Sequence, residues 1–407
     1  MNTEKKFFHS NTAIVTLFAA CFVVLISLGV RQTFGLFFID FNESLNISNT
    51  AFGFAIGTQM LMWGLTGPIF GAIADRFGGH VAIISSFLFY TLGVYFLYSG
   101  PNTGIFFQIH LGLLIGIGLG GTAISIPMSI VGKHFPLSNR TIAMSIVTAI
   151  GSFGYFISPI FTNYSLIEYG WNYTLFLFSL FLVTGLIAAF FVRSPKENEI
   201  VENRSDQSLK EALSEAFKSK SYILLVSGFF VCGFHITLVG THVPKYVIDR
   251  GLEDWTAAAI LSLIGLFNIF GSLLSGYLST KISKKVLLSA IYLLRGFSIA
   301  FFIFTPPSVL YAFIFGASFG FLWLSTVPAT SGIVAHLFGT KYLGLLYGIV
   351  FLSHQIGSFF GAYLGGLFHD LYGSYDYAWY LAILLSIFAA IIHLPIIEKP
   401  VERLQKI

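Results

Sequence analysis

The apolar positions of this chain fall in long blocks, and polar residues are largely confined to the short gaps between them. The blocks predict about twelve membrane-crossing helices, because a hydrocarbon core about 30 Å thick needs about 20 apolar residues per helical span. The first six spans lie near 12–40, 50–74, 80–99, 104–132, 140–163 and 172–193. The second six lie near 221–245, 255–280, 286–305, 308–335, 342–367 and 377–397. The strict polar–apolar alternation of a lipid-embedded barrel does not occur. One long polar stretch separates the sets, which divides the chain into 1–193, a linker at 194–220, and 221–407. Within the linker, Ser208 stands three positions before Glu211 and apolar residues recur three or four apart. That pattern predicts a capped amphipathic helix lying on the membrane face.

Composition fixes the class. Of 407 residues, 56% are hydrophobic and only 10% charged, too few charges to cover a water-facing surface. The expected fold is an all-α membrane protein. Lys5 and Lys6 precede the first block in the manner of a signal peptide, but the block is too long and no Ala-x-Ala site follows. It reads as the first span. Cys21 and Cys232 both sit in apolar blocks and form no metal-binding spacing. Gly116, Gly118, Gly120 and Gly121 follow no strand, so they are not a dinucleotide loop. No P-loop, HExxH, GxSxG or zinc spacing is present. An ATP-driven pump and an enzyme are therefore not expected, and no cofactor or metal is called for.

Charge adds orientation. Eighteen of the 22 Lys and Arg residues fall on the side of the termini and linker, and only Lys245 and Arg250 fall on the other. The bias predicts both termini in the cytoplasm and accounts for the net charge of +4 without a nucleic-acid partner. The two remaining basic residues, Arg31 and Arg295, lie inside spans, whereas all eighteen carboxylates lie in loops or near span ends. A charge at depth marks a functional site or a specific partner. Cations without anions at depth point to an anionic solute.

A turn between spans 2 and 3 carries Gly71, Asp75, Arg76 and Gly78, and a related string with Gly276, Lys281, Lys284 and Lys285 returns 205 residues later. Together with the two six-span halves, this resembles the major facilitator superfamily. Gly79 and His80 replace the family's usual basic pair, and Thr280 replaces the acid in the second copy. Gly151, Gly154 and Pro159 in span 5, and Gly170-Trp171 before span 6, are also similar to family motifs. Span 4 lacks the Arg common there. Phe135-Pro136 and Asn139-Arg140-Thr141-Ile142-Ala143 resemble the bacterial monocarboxylate-porter and oxalate/formate-antiporter branch. In the same branch, Arg31 ahead of Phe37-Phe38 resembles a substrate-site Lys. Span 8 departs, with Asn268 and Ser272 where the branch carries an Asp and an Arg. The resemblance implies two pseudo-symmetric six-helix bundles, a cavity lined by spans 1, 4, 7 and 10, and Asp75 as part of a gating latch on the cytoplasmic side.

Arg31 is the first candidate for substrate binding, since its fork of donors suits a planar carboxylate. Its other reading is a side chain snorkelling outward from the end of span 1. Arg295 in span 9 is either a charge at the cavity or a tie to backbone carbonyls. His235 in span 7 and His354 with Gln355 in span 11 lie mid-span, where a His carries a coupled proton or sits neutral in the core. Gln59, Tyr155, Asn268 and Trp323 are further mid-span candidates, each also able to bond a neighbouring helix.

The function expected is secondary transport of a small organic anion, a carboxylate, across a bacterial inner membrane by alternating access. The expected form is a monomer in the lipid bilayer, with proton symport. The alternatives are anion exchange, transport of neutral or hydrophobic solutes with structural arginines, and a sensor built on the same fold.

Overall fold

The computed structural model describes residues 11–194, 207–339 and 341–405. Lys5, Lys6, Lys196, Arg204 and Lys406, which contribute to the charge bias, lie outside the described residues. Among the described residues, ten helical segments are long and apolar enough to cross a membrane. Two further observations bring the number of spans to twelve. Asn49–Phe77 is a 29-residue helix outside those ten, and Leu137–Ala189 is two spans read as one. The latter's 53 residues would reach about 80 Å if straight, far more than a bilayer. Gly170, at φ 78° and ψ 170°, breaks it, because a side chain strongly disfavours that backbone and glycine does not.

Spans 1 to 4 are thus Asn11–Leu45, Asn49–Phe77, Gly79–Ser99 and Ile105–His134. Spans 5 and 6 are 137–169 and 171–189. Spans 7 to 12 are Lys220–Asp249, Asp254–Leu278, Lys284–Phe304, Val309–Phe338, Leu343–Tyr372 and Asp376–His393. Most ends have a local cause. Asn46 closes span 1 in the left-handed region, and the Ser48 hydroxyl then caps span 2 by accepting from Ala51 N–H. Gly78, at φ 97°, makes the turn into span 3.

Three spans are interrupted. Span 1 tightens to a 3-10 turn at Phe34–Phe37, span 4 breaks at Ala123, and span 10 breaks between Leu322 and Thr326. The linker helix, Leu209–Lys218, carries the complete capping box of Ser208 and Glu211. It buries Ala212 and Ala216 while Leu209 and Phe217 stay exposed, and its Glu215 meets Arg403 of the C-terminal segment at 3.5 Å.

Buried apolar residues form two clusters. One draws on residues 13–192 with Ala362, the other on 216–396. The two halves meet chiefly through two symmetric pairings, span 2 with span 11 and span 5 with span 8, and also where the 3-10 turn of span 1 touches span 7. Small residues let these backbones approach. A Cβ on Gly53 would strike the Ala362 carbonyl, one on Gly366 would strike Asn49, and one on Gly265 would strike the Tyr155–Phe156 backbone. Along spans 2 and 11 the contact runs from Asn49 as far as Gly64 against Gln355. Beyond it, Gly71, Gly344 and Gly348 have no atom in the way of a Cβ within 4 Å. The halves are therefore closed at the rim opposite the termini (the far rim) and parted at the rim near them.

Candidate functional site

Arg31 sits where the 3-10 turn bends span 1, fourteen residues before the span's end at Leu45. Snorkelling outward requires a span end near Asp40. The real end lies about 21 Å away at helical rise, beyond the reach of an arginine. The side chain turns inward and is only 8% exposed. It lines a narrow cleft with Gln32, Phe34, Gly35, Ile56, Gln59, Gly240 and Thr241, from spans 1, 2 and 7. Its Nη1 donates to Gln32 Oε1 at 3.3 Å and its Nη2 to Met60 Sδ at 3.1 Å. Neither acceptor carries a charge. Its Nε has no partner.

Two further buried atoms without partners lie at the same cleft. Gln32 Nε2 and Gln59 Oε1 are buried without partners, although Gln59 Nε2 donates to the Leu111 carbonyl at 3.0 Å. Buried polar atoms in folded proteins are nearly always paired, so these three unpaired atoms mark the cleft as a place for water or a polar ligand. Tyr90 and Tyr155 lie close enough to Arg31 to interact with its charge, and Tyr90 is fixed by donating to the Ser27 carbonyl at 3.0 Å.

The other candidates disperse. His354 donates from Nδ1 to Gln355 Oε1 at 3.0 Å and stacks on Phe351 with ring centres 5.6 Å apart. Gln355 packs against Gly64 of span 2 with its Nε2 unpaired, on the parted side of the cleft. His235 turns the other way: its Nε2 donates to the Ala382 carbonyl of span 12 at 2.9 Å, with the Ser386 hydroxyl 3.3 Å off. Asn268 bridges three spans, donating to Ser152 Oγ of span 5 and accepting from Leu324 N–H of span 10, both at 3.0 Å. Trp323 is buried at the span-10 break, its indole edge near Gly240 of the cleft wall.

Arg295 is wholly buried, and its function in the fold is visible. Its Nε and Nη2 donate to the Leu322 carbonyl, and Nη2 also to that of Trp323. These are carbonyls that the break in span 10 leaves without helical donors. Tyr292 lies under the guanidinium at 5.4 Å.

The residues of the Gly71–Gly78 turn lie at the rim near the termini. Asp75 accepts from Lys133 at 2.9 Å, a contact inside the first half and not across to the second. With the two side chains 71% and 36% exposed, that pair contributes little to stability. Arg76 lies over Phe77 and Lys281 over Tyr277.

Gln32, Met60, Tyr90 and Thr241 complete the surroundings of Arg31 and were not singled out by sequence. Gln32 had a signal, a second polar residue beside Arg31 in an apolar block. The others had none, because their place at the cleft depends on helices far apart in sequence.

Twelve spans in two bundles, closed at one rim around a polar cleft, define a polytopic membrane transporter. The Major Facilitator Superfamily model matches residues 20–327, and the chain belongs to that superfamily. It is 24% identical over 401 residues to the uncharacterized MFS-type transporter YcxA of Bacillus subtilis, covering 94% of this chain and 95% of that one. It is also 24% identical over 385 residues to monocarboxylate transporter 13 of Rattus norvegicus, covering 90% and 85%. Among solved structures, a bacterial homolog of the human lysosomal transporter Spinster, inward-facing and unoccupied, superposes with a TM-score of 0.76. That match has 16% identity and covers 94% of this chain and 96% of that one. The Escherichia coli fucose:proton symporter FucP superposes with a TM-score of 0.63 at 15% identity, covering 94% and 98%.

Proposed function

We propose that this protein carries a small organic anion, a carboxylate, by alternating access, with the anion held at Arg31. The observation that supports this is a buried guanidinium with no acidic partner among the described residues, lining a cleft with two further unpaired amide atoms. A buried charge left uncompensated costs several kcal/mol, and a bound carboxylate removes that cost. Arg31 Nε and Gln32 Nε2 are donors that a carboxylate satisfies, while Gln59 Oε1 accepts from a hydroxyl or from a bridging water. The monocarboxylate transporters among the relatives support the same class of solute.

In this reading the protein is a monomer in a bacterial inner membrane, with termini and linker in the cytoplasm, as the distribution of Lys and Arg favours. The far rim is then the outer one, and the described state faces inward. Coupling is by proton symport, with His354, beside the parted side of the cleft, carrying the proton. Asp75 acts at the opposite rim, pairing across the halves once they close there. Anion exchange is the second reading, favoured by the missing carboxylate: the solute itself supplies the counter-charge that returns the empty carrier.

Uptake of labelled monocarboxylates into proteoliposomes tests both. Accumulation driven by an inward proton gradient and abolished in Arg31→Ala is expected. Uptake that needs only an internal anion selects exchange, and unchanged uptake by Arg31→Ala overturns the anion site.

A further inference from the structure

The far rim is held by a carboxylate from one half seated on the start of a helix in the other. Asp370, at the end of span 11, accepts from Asn49 Nδ2 at 2.7 Å, from Thr50 N–H at 2.7 Å and from Thr50 Oγ1 at 2.6 Å. Tyr375, at the start of span 12, donates to Asn49 Oδ1 at 2.9 Å and so fixes the amide that faces Asp370. Asn49 and Thr50 form the first turn of span 2, where backbone donors are free and the helix dipole favours negative charge. Four hydrogen bonds therefore cross between halves at one point. Asp370 itself is exposed to the medium on that side.

We infer that Asp370 is the latch that keeps the far rim shut, and that a proton taken from the medium on that side releases it. A carboxylate accepting from three donors loses its charge-assisted bonds and much of its accepting capacity when protonated. The neighbouring titratable groups are held differently. His242 on span 7 donates to the Ala362 carbonyl at 2.7 Å, and its ring lies 5.1 Å from that of Tyr375. Asp249, also on span 7, is paired with Lys245 at 2.7 Å and with His369 at 3.3 Å, all within the second half. Of these groups, Asp370 is the one whose partners lie across the seam. Acid on the far side thus shifts the protein toward the conformation open on that side. The inference rests on alternating access and not on the identity of the solute.

The test reads access directly and needs no solute. Thr241→Cys places a thiol on the cleft wall, while the native Cys21 and Cys232 are buried. An impermeant maleimide is applied to each face in membrane vesicles of both orientations, with rates normalised to the unfolded protein at the same pH. The parent is expected to label from the termini side near neutrality and to gain far-side labelling severalfold as the far-side pH is lowered. Adding Asp370→Asn is expected to give high far-side labelling at every pH, and Thr50→Val, which removes one donor, a smaller shift in the same direction. Far-side labelling unchanged by both substitutions overturns the latch. An acid response that persists in Asp370→Asn overturns the proton-release step and assigns it to His369 or Asp249. A protein that passes this test but takes up no anion refutes the proposed solute and leaves the latch standing.

Discussion

The guanidinium Nε of Arg31 and the amide oxygen of Gln59 share one cleft, and neither has a hydrogen-bond partner. In the proposed function, this donor and acceptor would meet a solute with both a charge and a polar group. Arg31 meanwhile rests on Gln32 and on the soft sulfur of Met60, contacts weak enough to be exchanged.

Gln59→Glu turns this arrangement against itself. A carboxylate at position 59 would give Arg31 the counter-charge that the cleft lacks. The variant is expected to melt near the parent's temperature, the new ion pair offsetting the lost Gln59 amide bond to the Leu111 carbonyl, and to lose anion uptake at least about tenfold, as an internal partner displaces the external one. Thermal unfolding in detergent alongside uptake checks it; a less stable protein with intact uptake contradicts the scheme.

The two mid-span histidines are expected to separate. His235→Ala removes a buried side chain bonded to span 12 and lowers stability by about 1–3 kcal/mol, with solute affinity unchanged. His354→Ala leaves the fold closer to intact but flattens the pH dependence of uptake. Melting curves and pH–rate profiles of both variants decide, and equal pH profiles would remove His354 from the coupling scheme.

Glu398, in the segment after span 12, accepts from the Ser283 hydroxyl at 2.8 Å and the Lys285 N–H at 2.6 Å at the start of span 9. Burial pushes its pKa up, but these bonds and the nearby Lys284 charge outweigh it and hold the carboxyl below its ordinary value. A depressed carboxylate pKa gives stability that is present above the unfolded-state value and lost as pH falls through the folded one. The contact should therefore hold at neutral pH and fail in acid below the usual carboxylate range. Glu398→Gln should lower the neutral-pH melting temperature and reduce the stability lost on acidification, followed by melting between pH 7 and pH 3.

The expected span ends fall within about six residues of the observed ones because many limits are chemical: Ser48 begins one, Gly78 and Gly170 end others, and twenty-odd apolar positions fill the rest. Arg31 was legible because a charge in an apolar block stands out wherever it points. Direction was the missing quantity. In helices that are apolar all round, no stripe reports which side meets the cleft, so His235 and His354 looked equivalent although one faces span 12 and the other Gln355. The latch shows the same limit. Asp75 was marked by a motif, whereas Asp370 is an ordinary residue at a span end until folding sets it on Asn49, 321 positions away.

The glycines that bring spans 2 and 11 together bear on leakage as well as on packing. Where Gly53 meets Ala362 and Gly366 meets Asn49, the barrier is main chain against main chain, with no side chain to swing aside and admit a file of water molecules. At those points there is no room for a continuous water file along which a proton could pass. A membrane carrying many copies of this protein would then keep its electrical insulation while the carriers stand idle.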